Sequence, residues 1–188
     1  MQLIEYYQRG IKDNSRCLGA FVFYWGNKQE RTHTWFSLFS EDGEKNSRYD
    51  AVYYHWQGKW PENRSPDIQK ASLNYKNYQE SVYLDKGLSY KAEFEAMDPD
   101  GDSLEISWEV LEEGNYRAIY GGDKEKKPLK IDGIEASLEG STLHFHAPSK
   151  SGAYRLFIYA RDGKGSFGSA NLPFYVQETD LLVNVRED

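Results

Sequence analysis

Apolar and polar positions follow two different rhythms along this chain, and the rhythm changes near residue 66. In the first stretch Leu3, Ile4, Tyr7 and Ile11 fall at helical spacing, and Asp13-Asn14-Ser15 closes that pattern. Residues 17–25 (CLGAFVFYW) then run without a charged side chain. A strand apolar on both faces is what a parallel sheet covered by helices needs. After the polar stretch 26–32 comes an aromatic cluster, Trp35, Phe36 and Phe39. Tyr49, Val52, Tyr53 and Trp56 recur at i, i+3, i+4 and i+7, with Gly58 as a C-terminal stop. Residues 59–66 (KWPENRSP) read as an extended linker held by two prolines.

From about Leu88 the period becomes two. Tyr90, Ala92, Phe94 and Ala96 alternate with Lys91, Glu93 and Glu95, and Leu104, Ile106, Trp108 and Val110 alternate with Glu105, Ser107 and Glu109. Leu143, Phe145 and Ala147 alternate with His144 and His146, while 154–160 and 172–176 are further strands, apolar on more than one face. Turns fall at 98–102, 149–152 and 162–165, and residues 112–133 read as a long inter-strand loop. Short strands between acidic Gly/Pro turns predict an antiparallel β-sandwich, and the strand count with the single core Trp108 predicts an Ig-like one. The expected fold is therefore mainly β, with an Ig-like sandwich over 67–179. A helix–strand–helix segment precedes it over 1–66, and a tail follows at 180–188.

Helix, strand, polar loop, helix is also the repeating unit of a (β/α)8 barrel, where function sits on the loops after the strands. FVFYWGNKQERTHTWFSLF, followed by HWQGKWPENRSP, resembles the C-terminal end of TIM-barrel glycoside hydrolases, most closely family-2-like barrel proteins of the Bacteroidetes type. The resemblance covers roughly residues 1–66. It implies that residues 17–25 are the eighth barrel strand and that Trp25 stands where related enzymes stack an aromatic on sugar. The competing assignment makes Trp25, Trp35 and Trp56 core aromatics that seal the barrel end. Trp35, Glu30 and Arg31 would lie near the substrate, although a Glu–Arg step in a loop equally suits a salt bridge. Glycoside hydrolysis needs two carboxylates, which in the family lie on barrel strands outside this sequence. No catalytic residue can be assigned. AMDPDGDSLEISWEV and GAYRLFIYARDGKG are similar to the PKD and cadherin-like Ig modules of extracellular polysaccharide enzymes.

Charge and cysteine usage narrow the classes. A formal charge of −7 and a pI near 5.2, with no basic stripe, argue against a nucleic-acid partner. No apolar run reaches the length of roughly 18 residues that a membrane span requires. The single cysteine, Cys17, excludes intramolecular disulfides and Cys-rich zinc sites, and suits a small buried hydrophobe. The N-terminus carries no secretory signal pattern; the periplasmic or extracellular location implied by the resemblance is an expectation about a longer parent.

In an Ig-like sandwich the turn at 98–102 and the turn at 162–165 lie at one end. Asp98, Asp100 and Asp102 would then approach Asp162 and offer hard oxygen ligands for Ca²⁺. The alternative is a solvated turn whose aspartates cap their own backbone. An EF-hand is excluded, because Ser103 stands where that loop needs glycine and a strand follows at once. His144 and His146 share a face, yet without a third ligand they read as surface. No other cofactor is expected.

The leading functional expectation is a non-catalytic C-terminal fragment of a glycoside-hydrolase-like protein, its Ig-like domain supporting or spacing the barrel. The alternative is a carbohydrate-binding or cell-surface module, with Tyr116, Tyr120 or Tyr159 gripping polysaccharide. One physical difficulty attends the barrel assignment. A lone buried strand leaves backbone groups unpaired on both edges, at roughly 1–3 kcal/mol for each one buried. Residues 1–60 should therefore pair with another chain, fold back on the sandwich, or take a non-barrel arrangement.

Overall fold

The computed structural model describes residue 5 and residues 7–114 and 125–178. The tail at 180–188 and the candidate tyrosines Tyr116 and Tyr120 lie outside the described residues.

The period-two segments form the predicted sandwich. The strands are β1 (Asp67–Leu73), β2 (Tyr83–Asp85), β3 (Ser89–Met97), β4 (Glu105–Glu112), β5 (Ala136–Glu139), β6 (Thr142–His146), β7 (Gly152–Arg161) and β8 (Phe167–Gln177). They make two four-stranded sheets, ordered β1-β3-β6-β5 and β2-β8-β7-β4. All paired neighbours are antiparallel except β2 and β8, which are joined in parallel at Tyr83↔Tyr175. Ala92 and Phe94 of β3 and Leu143 and Phe145 of β6 point inward against Val110, Leu156, Ile158, Leu172 and Val176 of the second sheet. Each large apolar side chain so buried contributes roughly 1.5–3 kcal/mol before conformational entropy is counted.

Strand β7 explains how the N-terminal segment is held. Its inward residues Tyr154, Leu156, Ile158 and Ala160 are buried, but so are the outward-pointing Phe157 and Tyr159. With Leu111 and Phe167, these two form a second apolar cluster on the outer face of the sheet. The ring of His33 packs 4.6 Å from that of Phe157 and belongs to the polar loop after residue 25. A strand buried on both faces needs a covering layer, and here residues 26–46 supply part of it.

The segment's longest helix among the described residues, α1 (Ser47–Gln57), starts where Asn46 accepts the Arg48 N–H at 3.0 Å. It stops at Gly58, whose left-handed φ of 71° lets its N–H reach the Tyr54 carbonyl. The predicted helix is therefore present, but the face it buries is Asp50, Ala51 and His55. On the aromatic face Tyr49, Val52 and Tyr53 are half-buried and Trp56 is exposed.

One expectation for the front of the chain is corrected. Of the first helical pattern, the described residues Glu5, Tyr7 and Gln8–Lys12 are helical, the last five as a π-helical turn capped at Asp13. Residues 17–25 form no strand, and Leu18 and Phe21 are fully exposed, at 105% and 102% of their reference surface. The physical reason is the one that made a solitary strand costly: no described segment offers residues 17–25 a ladder. The α-β-α unit of a barrel is thus not formed in this structure. Of the three arrangements anticipated for residues 1–60, the described part shows the last two: it is non-barrel at 17–25, and from residue 26 it folds back on the sandwich.

The end of the linker is pinned tightly. A Cβ at Gly168 would stand 2.5 Å from the Pro66 carbonyl oxygen, so the backbones of the linker and β8 touch where β8 begins. Lys45 reinforces this contact, accepting from the Phe167 N–H at 2.9 Å and donating to the Gly165 carbonyl at 3.0 Å.

Candidate functional site

Three polar or aromatic constellations stand out from the core, beside one open cleft. The first is buried beneath the folded-back segment. The Tyr159 hydroxyl donates to Glu109 Oε1 at 2.7 Å and lies 2.6 Å from His33 Nε2. Since the tyrosine's only hydrogen goes to the carboxylate, His33 donates from Nε2 and its Nδ1 is left a bare acceptor. That Nδ1 is buried without a partner. Burial, aided by the Lys127 ammonium, holds the His33 pKa below its ordinary value of 6.5 against the opposing pull of Glu109 and Glu41. Burial and the bond to Glu109 raise the Tyr159 phenol far above its usual range. Both groups are neutral at pH 7 and form a structural relay. Tyr159 is therefore no exposed sugar grip, and the expectation that it would be one is corrected: the segment 26–46 covers it.

The second constellation is acidic. Asp98, Asp102 and Asp162 bring carboxylate oxygens within 4.8 Å of one another. Asp98 Oδ1 accepts the N–H groups of Asp100 at 2.8 Å and Asp102 at 3.2 Å, as an aspartate capping its own turn does. Asp162 Oδ1 accepts from the N–H groups of Lys164 and Ser166, and its Oδ2 from the Asn63 amide at 2.8 Å. Burial alone would raise the Asp162 pKa, but these donors outweigh it and hold the carboxyl below its ordinary value. Asp100 faces elsewhere, accepting the Arg64 N–H at 2.6 Å. The aspartates thus clamp linker residues Asn63 and Arg64 to two turns of the sandwich. Two oxygens are uncommitted, Asp98 Oδ2 and Asp102 Oδ2, both buried and without partners. A calcium ion takes six to eight oxygens, so these two with a third carboxylate provide part of a shell. Lys164, 2.5 Å from Asp102 Oδ1, already places one positive charge there.

The third constellation holds the sugar-binding candidates, which are not gathered in one place. Trp25, 56% exposed, lies parallel to Trp56 with ring centroids 5.9 Å apart and meets Phe39 edge-on. Trp35, 52% exposed, stacks on Phe36 at 4.8 Å. Trp35 and Trp56 line an apolar hollow of about 420 Å³ with Phe21 and Phe23; the buried His55, neither ring nitrogen of which is paired, sits in its wall. Glu30 is ion-paired to Lys28. Arg31, at a left-handed φ of 60°, gives its N–H to Glu125 at 2.7 Å and shares a different hollow with Trp35.

An open cleft of about 820 Å³ lies on the sandwich itself, between β1 and β8, with Gln69, Asn77, Tyr78 and Asn171 in its lining.

Sequence reasoning did not single out His33, Asn63 or Tyr78. The two-sided apolarity of 154–160 was the available signal for His33, since a sandwich strand with an apolar outer face implies a cover. Nothing in the local pattern marks Asn63, whose partners are about 100 positions away.

No protein-family model matches the chain, and no curated protein matches it. Among solved structures, it is similar to a nucleoside hydrolase-related hypothetical protein from Saccharophagus degradans described as associated with carbohydrate metabolism. That likeness has 20% identity and a TM-score of 0.37 over 62% of this chain and 26% of the other. The chain thus spans about a quarter of that protein's length. It is also similar to the PKD domain of an M14-like peptidase from a Thermoplasmatales archaeon, with 18% identity, TM-score 0.32, and 60% and 97% of the two chains covered. The copper resistance protein PcoC from Escherichia coli is comparable, with 11% identity, TM-score 0.33, and 60% and 99% covered.

Proposed function

We propose that this chain is the C-terminal, non-catalytic part of a glycoside-hydrolase-like protein acting outside the cytoplasm, in which the Ig-like sandwich buttresses a barrel. The observation that carries this is the two-faced character of the front segment. One side is keyed to the sandwich through His33, Lys45, Asn63 and the Pro66–Gly168 contact. The other presents Leu18, Phe21, Phe23, Trp25, Trp35 and Trp56 to solvent. Exposed apolar side chains in that number are suited to being covered by more protein, and residues 17–25 would gain their ladder from neighbouring strands. Trp25, Trp35, Glu30 and Arg31 would then stand at the substrate end of the assembled barrel. Among the described residues no helix is long and apolar enough to cross a membrane.

The test compares the isolated chain with the longer parent. The isolated chain should hydrolyse no aryl glycoside, and the parent should. Hydrogen exchange at residues 17–25 should be fast in the isolated chain and slow in the parent. Equal, fast exchange in both would end the buttress reading.

A second reading, a carbohydrate-binding module, is favoured by the cleft between β1 and β8, a mainly apolar hollow set with amides and hydroxyls that carries an exposed tyrosine. Calcium at Asp98, Asp102 and Asp162 is proposed as an accessory to either reading; it would tighten the clamp on Asn63 and Arg64 rather than take part in chemistry.

A further inference from the structure

We propose that the cleft between β1 and β8 is a binding site for a neutral oligosaccharide, with Tyr78 as the stacking platform. This inference rests on the second reading above and gives it a location. The cleft is large enough, at about 820 Å³, for several sugar rings. It is built at an interruption of the sandwich. Strand β2 pairs with β8 only at Tyr175–Gln177, so Ala170–Leu172 of β8 lie beyond its reach and face the cleft beside β1. On the opposite wall the register of β1 shifts between Ile68 and Lys70, and this bulge sets Gln69 in the lining.

The chemistry of the lining selects the ligand. Its charged groups are already neutralised: Lys70 pairs with Glu95 at 2.8 Å, and Glu93 with Lys91 at 2.9 Å. What remains for a ligand are the Ser141 and Thr142 hydroxyls and the free half of each amide, namely the Gln69 carbonyl and the Asn77 and Asn171 amino groups, with apolar patches between them. Met97, the Gln79 N–H and Arg155 hold the other halves. That combination matches a ligand rich in hydroxyls, free of charge and apolar on its C–H faces. An acidic or basic ligand would compete with these exposed pairs, each individually weak, whereas a neutral one leaves them in place.

Tyr78 lies in the lining and is 65% exposed, so its ring is available for stacking. The adjoining turn is held in an unusual conformation. Asn74 and Tyr75 both have left-handed φ, 49° and 66°, where the second position of such a turn normally carries glycine. Tyr75 is exposed at this turn with the Lys91 ammonium 4.4 Å from its ring centre. A bulky residue kept at positive φ costs conformational energy, and such positions concentrate where a surface has work to do. The segment after this turn thereby brings Tyr78 into the cleft lining, while Tyr75 stays outside it against Lys91.

The experiment is calorimetric titration of the full chain with neutral β-1,4-linked hexasaccharides of glucose, xylose and mannose, and with an extended uncharged peptide. At least one hexasaccharide should bind saturably. Tyr78→Ala should weaken it by about tenfold or more, which corresponds to losing the one stacking contact. Gln69→Ala should weaken it less, and Tyr83→Ala, an exposed tyrosine on β2 outside the cleft, should leave it unchanged. Both cleft positions are exposed, so the melting temperatures of the variants should match the parent chain. Glycan binding that survives both cleft substitutions would overturn the location and leave the binding-module reading standing. No glycan binding would overturn both, and saturable binding of the peptide in place of glycan would replace the ligand class.

Discussion

The sandwich and the segment before it are stabilised in opposite ways. Between β1 and β8 the chain buries a continuous apolar core, in which Leu84, Val110, Phe145 and Leu156 have no measurable exposure. Ahead of β1, residues 26–66 attach through keyed polar bonds, the backbone contacts of Lys45 and Pro66 and a small apolar patch where His33 covers Phe157. Residues 17–25 leave their largest apolar side chains in water. Apolar burial is non-directional and is shared among many groups. Polar keys are directional, and each one is costly to lose when buried. The sandwich should therefore tolerate surface change and resist heat, whereas the segment should detach when single bonds fail.

The largest contrast is predicted for truncations. Leu156→Ala should cost about 2–5 kcal/mol in chemical unfolding, because it opens a cavity in a core with little room to collapse. Phe21→Ala removes a larger side chain yet should change stability by no more than about 0.5 kcal/mol, since that ring is already hydrated. A loss at Phe21 equal to that at Leu156 would mean that the front segment has a buried core of its own, and the comparison would break.

Next in size is Gly168→Ala. The added methyl meets the Pro66 backbone, which cannot swing away as a side-chain tip would, and the expected cost is about 1–3 kcal/mol. Limited proteolysis sharpens the result: cleavage should increase in residues 59–66 while β3 and β7 remain protected. Uniform loss of protection would show that the linker contact belongs to the sandwich's own folding unit.

How far these features could be read beforehand follows from the same contrast. Alternation in 90–96, 104–110 and 143–147 correctly placed Ala92, Phe94, Val110 and Phe145 inside, because a half-buried strand writes its environment at every second residue. The Gly58 stop was legible for a comparable reason: its left-handed conformation is a local demand. Residues 17–25 misled because the same apolar run suits a covered strand whether or not the cover is encoded nearby. The buried face of α1 was misjudged at Trp56, since spacing shows that a face is apolar but not what packs on it. His33 on Tyr159 and Asn63 on Asp162 were illegible, as each joins positions more than 90 residues apart through one polar atom pair. The acidic end was half legible: a sandwich brings the two turns together, but not the diversion of Asp100 to the Arg64 backbone.

Acid should separate the two regions in a defined order. His33 has a folded pKa below 6.5, so the unfolded chain binds a proton more readily than the folded one between the two values. Stability from this group is complete above about pH 6.5 and falls as pH drops toward the folded pKa, with a slope of at most about 1.4 kcal/mol per pH unit. The charges facing it from the surrounding elements are Glu109, Lys127, Glu41 and, through Tyr159, Arg161. Asp162 also has a lowered pKa, but its contribution is present above its ordinary value of 3.8 and is lost only below that. Melting temperature against pH should show two steps. His33→Gln should shrink the upper one and leave the lower, with buried His55, whose pKa is likewise lowered by burial, supplying the remainder; an upper step of unchanged size would assign it elsewhere.

The smallest effect concerns calcium, and it tests whether the acidic end resembles the sandwich or the segment. Asp162 has both carboxylate oxygens committed to Asn63, Lys164 and Ser166, and Asp102 already holds the Lys164 ammonium. Only Asp98 Oδ2 and Asp102 Oδ2 are free, so a bound ion would keep most of its waters and would compete with Lys164. Such a site falls in the millimolar range of extracellular modules, and about 10 mM Ca²⁺ should then stabilise the chain by only about 1 kcal/mol. Lys164→Ala should enlarge the shift by removing the competing cation, and Asp98→Asn should abolish it. If Lys164→Ala melts lower and calcium restores nothing, the lysine is the cluster's resident counter-charge and the turn is a clamp sufficient in itself.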